Sequence, residues 1–299
     1  MSNKLNVFND VFELLKYFKP TPLVRINNLV RKKNVQVYAK LEWYNPFGSI
    51  KDRIIPNIVE RSIKPNINIL FEVTSGNTGI ALAGFYAHKF KVLVLAPKDI
   101  SEEKLLLMKL LGADVRVLDV REEELLAYAE NIARKSNVLY VNQFNNSLNP
   151  EAHYNTTGPE IWYQTKGKIT HLIAGMGTSG TIVGVAKYLK SRKPTIKIIG
   201  VTPKDKIPGL TKVKEVKPAF YDEKLIDEII EVSFEDAVKT AMKVIRYERL
   251  LAGISSGAAM FATLKVVKEI DEGLVVVIFP DNALRYLSVY KNYLNSKKL

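Results

Sequence analysis

The sequence of 299 residues has no cysteine, only three histidines, and no apolar run long enough to cross a membrane. The lack of cysteine excludes disulfide bonds, thiolate metal sites, iron–sulfur clusters and a cysteine nucleophile. The best apolar run, residues 274–279, has the length of a strand, whereas a membrane helix needs about 20 apolar residues. The N-terminal residues are charged and lack the apolar core of a signal peptide. We therefore expect a soluble, cytoplasmic protein.

Acidic residues are fewer than basic ones, 31 against 44, which gives a net charge of +13. Nucleic acid, an anionic membrane surface, small anionic ligands or a merely solvated lysine-rich surface would each fit this excess. Most of the basic residues between Lys187 and Lys217 have no aromatic neighbours in sequence, and the stretch from Asp222 to Asp236 that follows is mainly acidic. This pattern argues against a nucleic-acid groove, and no nucleic-acid or membrane partner is expected.

Short apolar runs rich in β-branched residues alternate with segments of helical period. The predicted strands are residues 35–41, 69–73, 91–96, 114–118, 139–141, 171–174, 196–202 and 274–279, and the predicted helices include 79–88, 102–111, 122–134 and 182–191. Such alternation is typical of an α/β architecture in which parallel sheets are covered by helices on both faces.

Three turns between these elements carry chemistry, and the first is the lysine turn, residues 45–53. Proline and glycine break the chain after a strand, and Ser49 is a good helix N-cap. Lys51 would lie in the first helical turn, where the helix dipole and Arg53 disfavour its ammonium form. A lowered pKa suits a lysine that forms a Schiff base, although a surface lysine in a capped turn also fits.

The other two turns are rich in glycine and hydroxyl groups, and each lies between a predicted strand and a predicted helix. The substrate loop, residues 74–79, offers several donors at a helix N-terminus and suits a carboxylate. The phosphate loop, residues 175–181, lacks the P-loop ending and the full dinucleotide pattern, so it suits a single phosphate. Either could be an ordinary tight turn. Together the three turns fit pyridoxal phosphate with an amino acid beside it.

The same segments resemble the cysteine synthase branch, the O-acetylserine and O-phosphoserine sulfhydrylases, of the fold type II pyridoxal-phosphate enzymes. The matching motifs follow the family's order and lie at residues 21–25, 45–53, 74–79, 143–145, 153–154, 156–160, 175–181, 253–257 and 285–288. The resemblance implies two α/β domains with twisted parallel-type sheets, as in the tryptophan synthase β-like fold. The smaller, mobile domain would span residues 45–149. The larger, phosphate-binding domain would combine residues 1–44 and 150–299.

The resemblance also implies roles for individual residues. Lys51 would bind the cofactor covalently and act as the general base. The cofactor phosphate would be held by Gly177, Thr178, Ser179, Gly180 and Thr181, the ring hydroxyl by Asn77, and the substrate carboxylate by Thr74, Ser75, Thr78 and Gln143. Relatives place a serine against the pyridine nitrogen in a Pro-Ser-Ser-Gly-type segment, and the chain has Pro280-Asp281-Asn282 there. We expect Asn282 to face the nitrogen, with Asp281 as the alternative.

The expected reaction is β-replacement on an activated serine with sulfide, giving L-cysteine. Residues 207–212 partly resemble the Ile-Pro-Gly-x-Arg-Arg segment of enzymes that accept O-phosphoserine, with Lys212 in place of one arginine. We therefore expect O-phosphoserine to be favoured over O-acetylserine as the donor. The alternatives are a cystathionine β-synthase-type condensation of serine with homocysteine, or a non-catalytic protein that binds the cofactor or an amino acid. A homodimer is expected, no metal is expected, and the three histidines are expected to be structural.

Overall fold

A computed structural model describes residues 7–17, 19–120 and 122–297. In chain order the helices and strands are α1 (Val11–Tyr17), β1 (Leu23–Arg25), β2 (Val35–Leu41), α2 (Ile54–Ser62), β3 (Ile69–Val73), α3 (Asn77–Tyr86), β4 (Lys91–Pro97), α4 (Glu102–Leu110), β5 (Asp114–Leu118), α5 (Glu122–Ala133), β6 (Val138–Tyr140), α6 (Leu148–Asn155), α7 (Thr157–Gln164), β7 (His171–Gly175), α8 (Gly180–Arg192), β8 (Lys197–Pro203), β9 (Glu228–Val232), α9 (Phe234–Lys243), α10 (Ile254–Glu269), β10 (Gly273–Phe279) and α11 (Leu287–Ser296). None of the helices in these ranges is long and apolar enough to span a membrane.

The larger sheet has six strands in the order β1-β2-β10-β7-β8-β9. All neighbours are parallel except β1, which pairs antiparallel with β2 at the edge. β10 is the apolar run noted in the sequence, and it lies in the interior of the sheet between β2 and β7. Its side chains from Val275 to Phe279 are buried, as expected for a strand covered on both faces.

The smaller sheet has four parallel strands in the order β5-β4-β3-β6. Its strands fall within residues 69–140, and the strands of the larger sheet lie before and after that range. The chain therefore has two α/β units, which confirms the predicted fold class. Helix α1, on the N-terminal side of the expected boundary at residue 45, packs its buried Leu15 into the core beneath the smaller sheet.

The eight strands predicted from apolar runs are present, and their bounds move by at most one residue. The structure adds β1, which has three residues, and β9, whose sequence Glu-Ile-Ile-Glu-Val breaks the apolar run with two carboxylates. The predicted helix after Ser49 begins as a 3₁₀ turn over Ile50–Arg53 and becomes α-helical in α2. Gly112, two residues after the end of α4, has a φ of +92°, which favours glycine.

Candidate active site

A cavity of about 310 Å³ lies between the two sheets. Its walls come largely from segments that follow the carboxyl ends of β2, β3, β4, β6, β7, β8 and β10. Parallel α/β sheets bind ligands at this edge, because loops and helix N-termini converge there. The topology therefore brings together all three turns that the sequence singled out.

The lysine turn is fixed to the rest of the cavity by its backbone. The Ser49 hydroxyl accepts a hydrogen bond from the Lys51 backbone N–H at 3.2 Å, as predicted for an N-cap. The Ile50 N–H donates to the Pro280 carbonyl oxygen at 2.9 Å, which joins this turn to the end of β10. Lys51 consequently lies on the cavity wall.

Below the lysine turn lies a buried network of charges. The Arg53 guanidinium donates to Glu42 at 2.6 Å and to Glu160 at 2.7 Å, and the Lys40 ammonium donates to Glu160 at 2.7 Å. Both cationic side chains are fully buried. Thr21 adds a hydroxyl that donates to Glu42 at 2.8 Å. The network ties α7 and the segment after β2 to the turn that carries Lys51.

The pKa of Lys51 is lowered to about 8. Burial is the main cause, and the negative charge of Glu72, followed by that of Asp281, opposes it. Burial also raises the pKa of Glu72 to about 8, so Glu72 opposes the shift only in its ionised form. The direction agrees with the sequence prediction, but the cause differs, because the charge of Arg53 is compensated by its two carboxylates. A lysine with a pKa near neutrality is suited to Schiff-base and proton-transfer chemistry.

The substrate loop joins β3 to α3 and packs against Gln143, which follows β6. The Thr78 hydroxyl donates to Gln143 Oε1 at 2.6 Å, and the Thr74 hydroxyl accepts from the Gly76 N–H at 3.1 Å. The Gln143 side-chain oxygen accepts the hydrogen bond from Thr78, and its amide nitrogen is left to donate to a ligand. Ser75 is exposed at the cavity. The loop therefore presents donors, as a carboxylate site requires.

The phosphate loop joins β7 to α8. The Thr178 hydroxyl accepts from Asn149 at 3.1 Å and from the Gly180 N–H at 3.2 Å, which leaves its own O–H to donate. The Ser179 hydroxyl is buried and has no hydrogen-bond partner in the described structure. A Cβ on Gly177 would lie 2.5 Å from the Gly209 carbonyl oxygen, so the close packing here requires glycine. The loop thus offers several uncommitted donors at a helix N-terminus.

His153 supports the phosphate loop from behind. Its Nδ1 lies 2.9 Å from the Thr157 hydroxyl and its Nε2 lies 3.1 Å from the Thr181 hydroxyl. Burial and nearby cations, Arg53 first, lower its pKa well below the ordinary value, so the ring is neutral. His153 therefore orients Thr181 and carries no charge.

Most of the predicted site residues meet at this cavity. Those on its wall are Lys51, Thr74, Ser75, Asn77, Thr78, Gln143, Gly177, Thr178, Ser179 and Thr181. Gly180 is the first residue of α8 and packs against Asn149 behind the wall. Asn282 is not among the residues that line the cavity, and its side-chain oxygen accepts from the Leu284 N–H at 3.1 Å. Lys212 lies at another surface depression, where its ammonium is 3.1 Å from Glu215.

Four other residues on the wall matter below, although three of them have no individual role predicted from the sequence and Asp281 is predicted only as an alternative. They are Ser255, Asp281, Tyr286 and Lys104. Ser255 lies in the first turn of α10, within the motif at 253–257 that the resemblance had already marked. Lys104 is 4% exposed, and the sequence of α4 contains no motif that would mark it as a cavity residue.

Comparison with known proteins identifies the family. The model of the family described as "Pyridoxal-phosphate dependent enzyme" matches residues 14–281. The chain belongs to this family. It is 38% identical to cysteine synthase B of Pseudomonas aeruginosa over 90% of this chain and 93% of that protein. It is 36% identical to a cystathionine β-synthase of Apis mellifera over 93% of this chain and 61% of that protein.

Comparison with solved structures gives the same family. A hydrogen sulfide-producing enzyme from Fusobacterium nucleatum superposes with a TM-score of 0.88 at 34% identity, covering 96% of this chain and 100% of that one. The chain is therefore a fold type II pyridoxal-phosphate enzyme of the cysteine synthase branch, with β-replacement as its type of reaction. The expected cofactor is confirmed at the level of the family.

The residues present fit this cofactor. The buried, unpartnered Ser179 hydroxyl and the free donor of Thr178 suit a phosphate, and Lys51 with its lowered pKa faces the same cavity. The Ser255 hydroxyl lies on the wall and makes no hydrogen bond with the described residues. The cavity therefore offers a covalent anchor, a phosphate cradle and a separate donor for a ring heteroatom.

Proposed function

We propose that this enzyme forms L-cysteine from O-phosphoserine and sulfide. The cofactor would be anchored by Lys51, its phosphate by the phosphate loop, its ring hydroxyl by Asn77 and its ring nitrogen by Ser255. Ser255 replaces the expected Asn282 in this proposal because Ser255 lines the cavity and the Asn282 side chain caps the turn at Leu284. The alternative, Asp281, also lines the cavity, but its Oδ2 already accepts hydrogen bonds from Asn77 and Tyr286. Such a cofactor acts as an electron sink that stabilises negative charge at the α-carbon of the substrate.

The substrate loop would bind and orient the amino-acid substrate. Thr74, Ser75, Thr78 and the amide nitrogen of Gln143 converge on the cavity and would donate to the α-carboxylate. Lys51 Nζ, once released, would take the α-proton and return it at the end of the reaction. Its pKa of about 8 allows both the neutral and the protonated form near neutral pH.

The preference for a phosphate ester rests on one observation, the state of Lys104. Its buried ammonium lines the cavity, and its hydrogen-bond partner is the hydroxyl of Tyr286 at 3.0 Å rather than a carboxylate. Asp281 is near but accepts a hydrogen bond from Tyr286 instead of from Lys104, so the ammonium has no directly bonded carboxylate and a bound anion would stabilise it. Lys206 also lines the cavity, although it pairs with Asp99. These two lysines, instead of Lys212, would contact the phosphoryl group.

The test compares O-phosphoserine with O-acetylserine at saturating sulfide. In Lys104→Met, kcat/KM for O-phosphoserine should fall about 10- to 100-fold because a charge-assisted hydrogen bond is lost. The value for O-acetylserine should change much less, and Lys104→Arg should restore the preference. Equal use of both esters by the native enzyme, with equal losses in Lys104→Met, would reject O-phosphoserine as the donor. Lys212→Ala provides a further check, since a selective loss there would return the phosphate contact to Lys212.

A second candidate function is supported by the likeness to the Apis mellifera cystathionine β-synthase. In that case serine would be the donor and homocysteine the acceptor. The two candidates differ in the thiol that must enter the cavity, so the products separate them. Incubation with serine and homocysteine, followed by mass spectrometry, should give little cystathionine if sulfide is the acceptor.

Assembly and location follow from the resemblance alone. We propose that the protein is a homodimer that acts in the cytoplasm. Light scattering on the purified holoenzyme should give twice the mass of 33.8 kDa. A monomeric mass would contradict the proposed assembly without affecting the proposed reaction.

A further inference from the structure

The side chain of Asn77 is held at both ends of its amide. Its Nδ2 donates to Asp281 Oδ2 at 2.7 Å, and its Oδ1 accepts from Arg285 Nη1 at 2.8 Å. Asp281 in its charged form is only an acceptor and Arg285 is only a donor. The two partners therefore admit one orientation of the amide, because a rotation by 180° would oppose two acceptors and two donors.

Both partners are themselves fixed. Asp281 is 1% exposed, and its Oδ2 also accepts from the Tyr286 hydroxyl at 2.6 Å, which in turn accepts from Lys104 at 3.0 Å. The other terminal nitrogen of Arg285 donates to the Phe47 carbonyl oxygen in the lysine turn. These contacts involve α4, the lysine turn and the segment after β10, so the orientation of one amide is set by three parts of the chain.

We infer that Asp281 and Arg285 are positioning residues that keep the second N–H of Asn77 Nδ2 directed at the cavity. The inference rests on the proposed contact between Asn77 and the ring hydroxyl of the cofactor. An N–H donor stabilises the deprotonated ring oxygen, whereas the reversed amide would present an acceptor and favour a protonated hydroxyl. The clamp thus controls where a proton of the bound cofactor resides.

The proton position has a spectroscopic signature, because the form with a deprotonated ring oxygen absorbs in the visible and the form with a protonated hydroxyl absorbs in the near ultraviolet. In the holoenzymes of Asp281→Ala and Arg285→Met, absorbance should move from the visible band to the near-ultraviolet band at fixed pH. The cofactor dissociation constant should rise about tenfold, the scale of losses when partners that orient a ligand are removed. Two variants at opposite ends of the amide should give the same change.

Two further variants separate orientation from charge and from structural damage. Asp281→Asn retains an acceptor oxygen without the charge, so it should keep most of the visible band. Ser288→Ala removes a nearby hydrogen bond to Glu103 at 3.0 Å that does not involve Asn77, so its spectrum should be unchanged. If Asp281→Asn behaved like Asp281→Ala, the charge of Asp281 would be responsible and the inference would be wrong.

The proposed function and this inference fail in different ways. A native protein that shows no visible absorbance with pyridoxal phosphate contradicts the proposed function and with it the role of the clamp. A native holoenzyme with the visible band, and Asp281→Ala and Arg285→Met variants that bind the cofactor with unchanged spectra, contradicts only the clamp. Should Asp281→Ala fail to fold, Arg285→Met reports on the same amide from its other end.

Discussion

The substrate loop and the phosphate loop share one local architecture, a parallel strand followed by a glycine-rich turn and a helix N-terminus, but they are stabilised differently. In the phosphate loop the glycine packs against backbone, because a Cβ on Gly177 would lie 2.5 Å from the Gly209 carbonyl oxygen. In the substrate loop the glycine packs against a side chain, because a Cβ on Gly76 would meet Lys104, and the hydrogen bonds of Thr78 and Asn77 add to this packing. A cofactor that stays bound suits the first arrangement, and a substrate that is exchanged at every turnover suits the second.

The lysine turn is stabilised in a third way, by buried charge. Arg53, the last residue of the 3₁₀ turn that contains Lys51, donates to both Glu42 and Glu160. Such a buried network fixes the conformation of the residues that it joins, but loss of one partner strongly lowers the stability of the protein. The three turns of one cavity therefore differ in what should disrupt them most: a clash with backbone, loss of a side-chain hydrogen bond, or loss of a buried charge.

The largest effect on activity is expected from Lys51→Ala, because all three turns line the cavity that this residue faces. Removal of the ammonium eliminates the covalent anchor and the base, and β-replacement should fall by about 10⁴-fold. The phosphate loop does not depend on Lys51, so the variant should still bind pyridoxal phosphate noncovalently. Equilibrium dialysis measures this binding, and Lys212→Ala, which removes a lysine outside this cavity, serves as the control. Substantial β-replacement by Lys51→Ala would show that another residue supplies the base.

The next largest effect concerns the charge network. Glu160→Gln should lower the free energy of unfolding by roughly 3–5 kcal/mol, because Arg53 and Lys40 lose a buried counterion. Urea unfolding at pH 7 measures this change. In the control Glu151→Gln, the ion pair with Arg61 is exposed, and the expected loss is about 0–1 kcal/mol.

The carboxylate of Glu160 should also make the free energy of unfolding depend on pH. Burial raises the pKa of Glu160, but the hydrogen bonds and charges of Arg53 and Lys40 outweigh it and lower the pKa to about 2. Because the pKa in the folded state lies below the ordinary 4.5, the contribution to stability is complete above pH 4.5 and is lost as the pH falls towards 2. Glu160→Gln should flatten the fall in stability over this range. An equally steep fall in the variant would assign acid sensitivity to other carboxyl groups.

A pair of glycine substitutions tests the two loops directly. In Gly177→Ala the new Cβ would meet a backbone oxygen, and moving that backbone aside should cost about 1–3 kcal/mol. The cofactor dissociation constant should therefore rise about 10- to 100-fold. In Gly76→Ala the Cβ would meet the Lys104 side chain, and the φ of +143° disfavours alanine. There the KM for the donor should rise by a similar factor while cofactor affinity falls less than in Gly177→Ala, because Asn77 is the one residue of this loop that is proposed to contact the cofactor. If both variants lost cofactor affinity equally, the proposed division of labour would not hold.

Much of this arrangement could be predicted from the sequence because its signals are local. The strands carry continuous apolar runs, the turns carry glycine and hydroxyl residues, and the motifs around Lys51 and Thr178 combine both. The carboxyl ends of parallel strands then bring the turns together without further information. This is why ten of the predicted site residues lie on one cavity wall.

The remaining parts depend on contacts between residues distant in the sequence. Lys104 comes to the cavity because α4 packs against Tyr286, 182 residues later. Asn282 was expected at the pyridine nitrogen from its place in a short segment, but in the structure its side chain caps a turn. Lys212 was expected near the phosphoryl group, yet the chain turns after Thr211 and carries it to another surface. Side-chain direction within a loop is set by such packing and cannot be read from spacing.

The smallest expected effects are changes in the stability of the apoenzyme, and these differ in sign between the phosphate loop and the substrate loop. The Ser179 hydroxyl is buried without a partner, so Ser179→Ala should raise the stability of the apoenzyme by about 1 kcal/mol. The same change should weaken cofactor binding about tenfold, because the phosphate loses a donor. In the substrate loop the Thr78 hydroxyl is bonded to Gln143, so Thr78→Val should lower the stability of the apoenzyme by about 1 kcal/mol.

Urea unfolding of the two apoenzymes, with cofactor titration of each variant, measures both signs. Thr178→Ala is the control within the phosphate loop: its hydroxyl accepts two hydrogen bonds, so its loss should destabilise the apoenzyme. If Ser179→Ala and Thr178→Ala changed stability in the same direction, Ser179 would have a partner in solution and would not be a donor reserved for a phosphate. Opposite signs would show that the phosphate loop retains an unsatisfied donor for its ligand, whereas the hydroxyl of Thr78 in the substrate loop is satisfied within the protein.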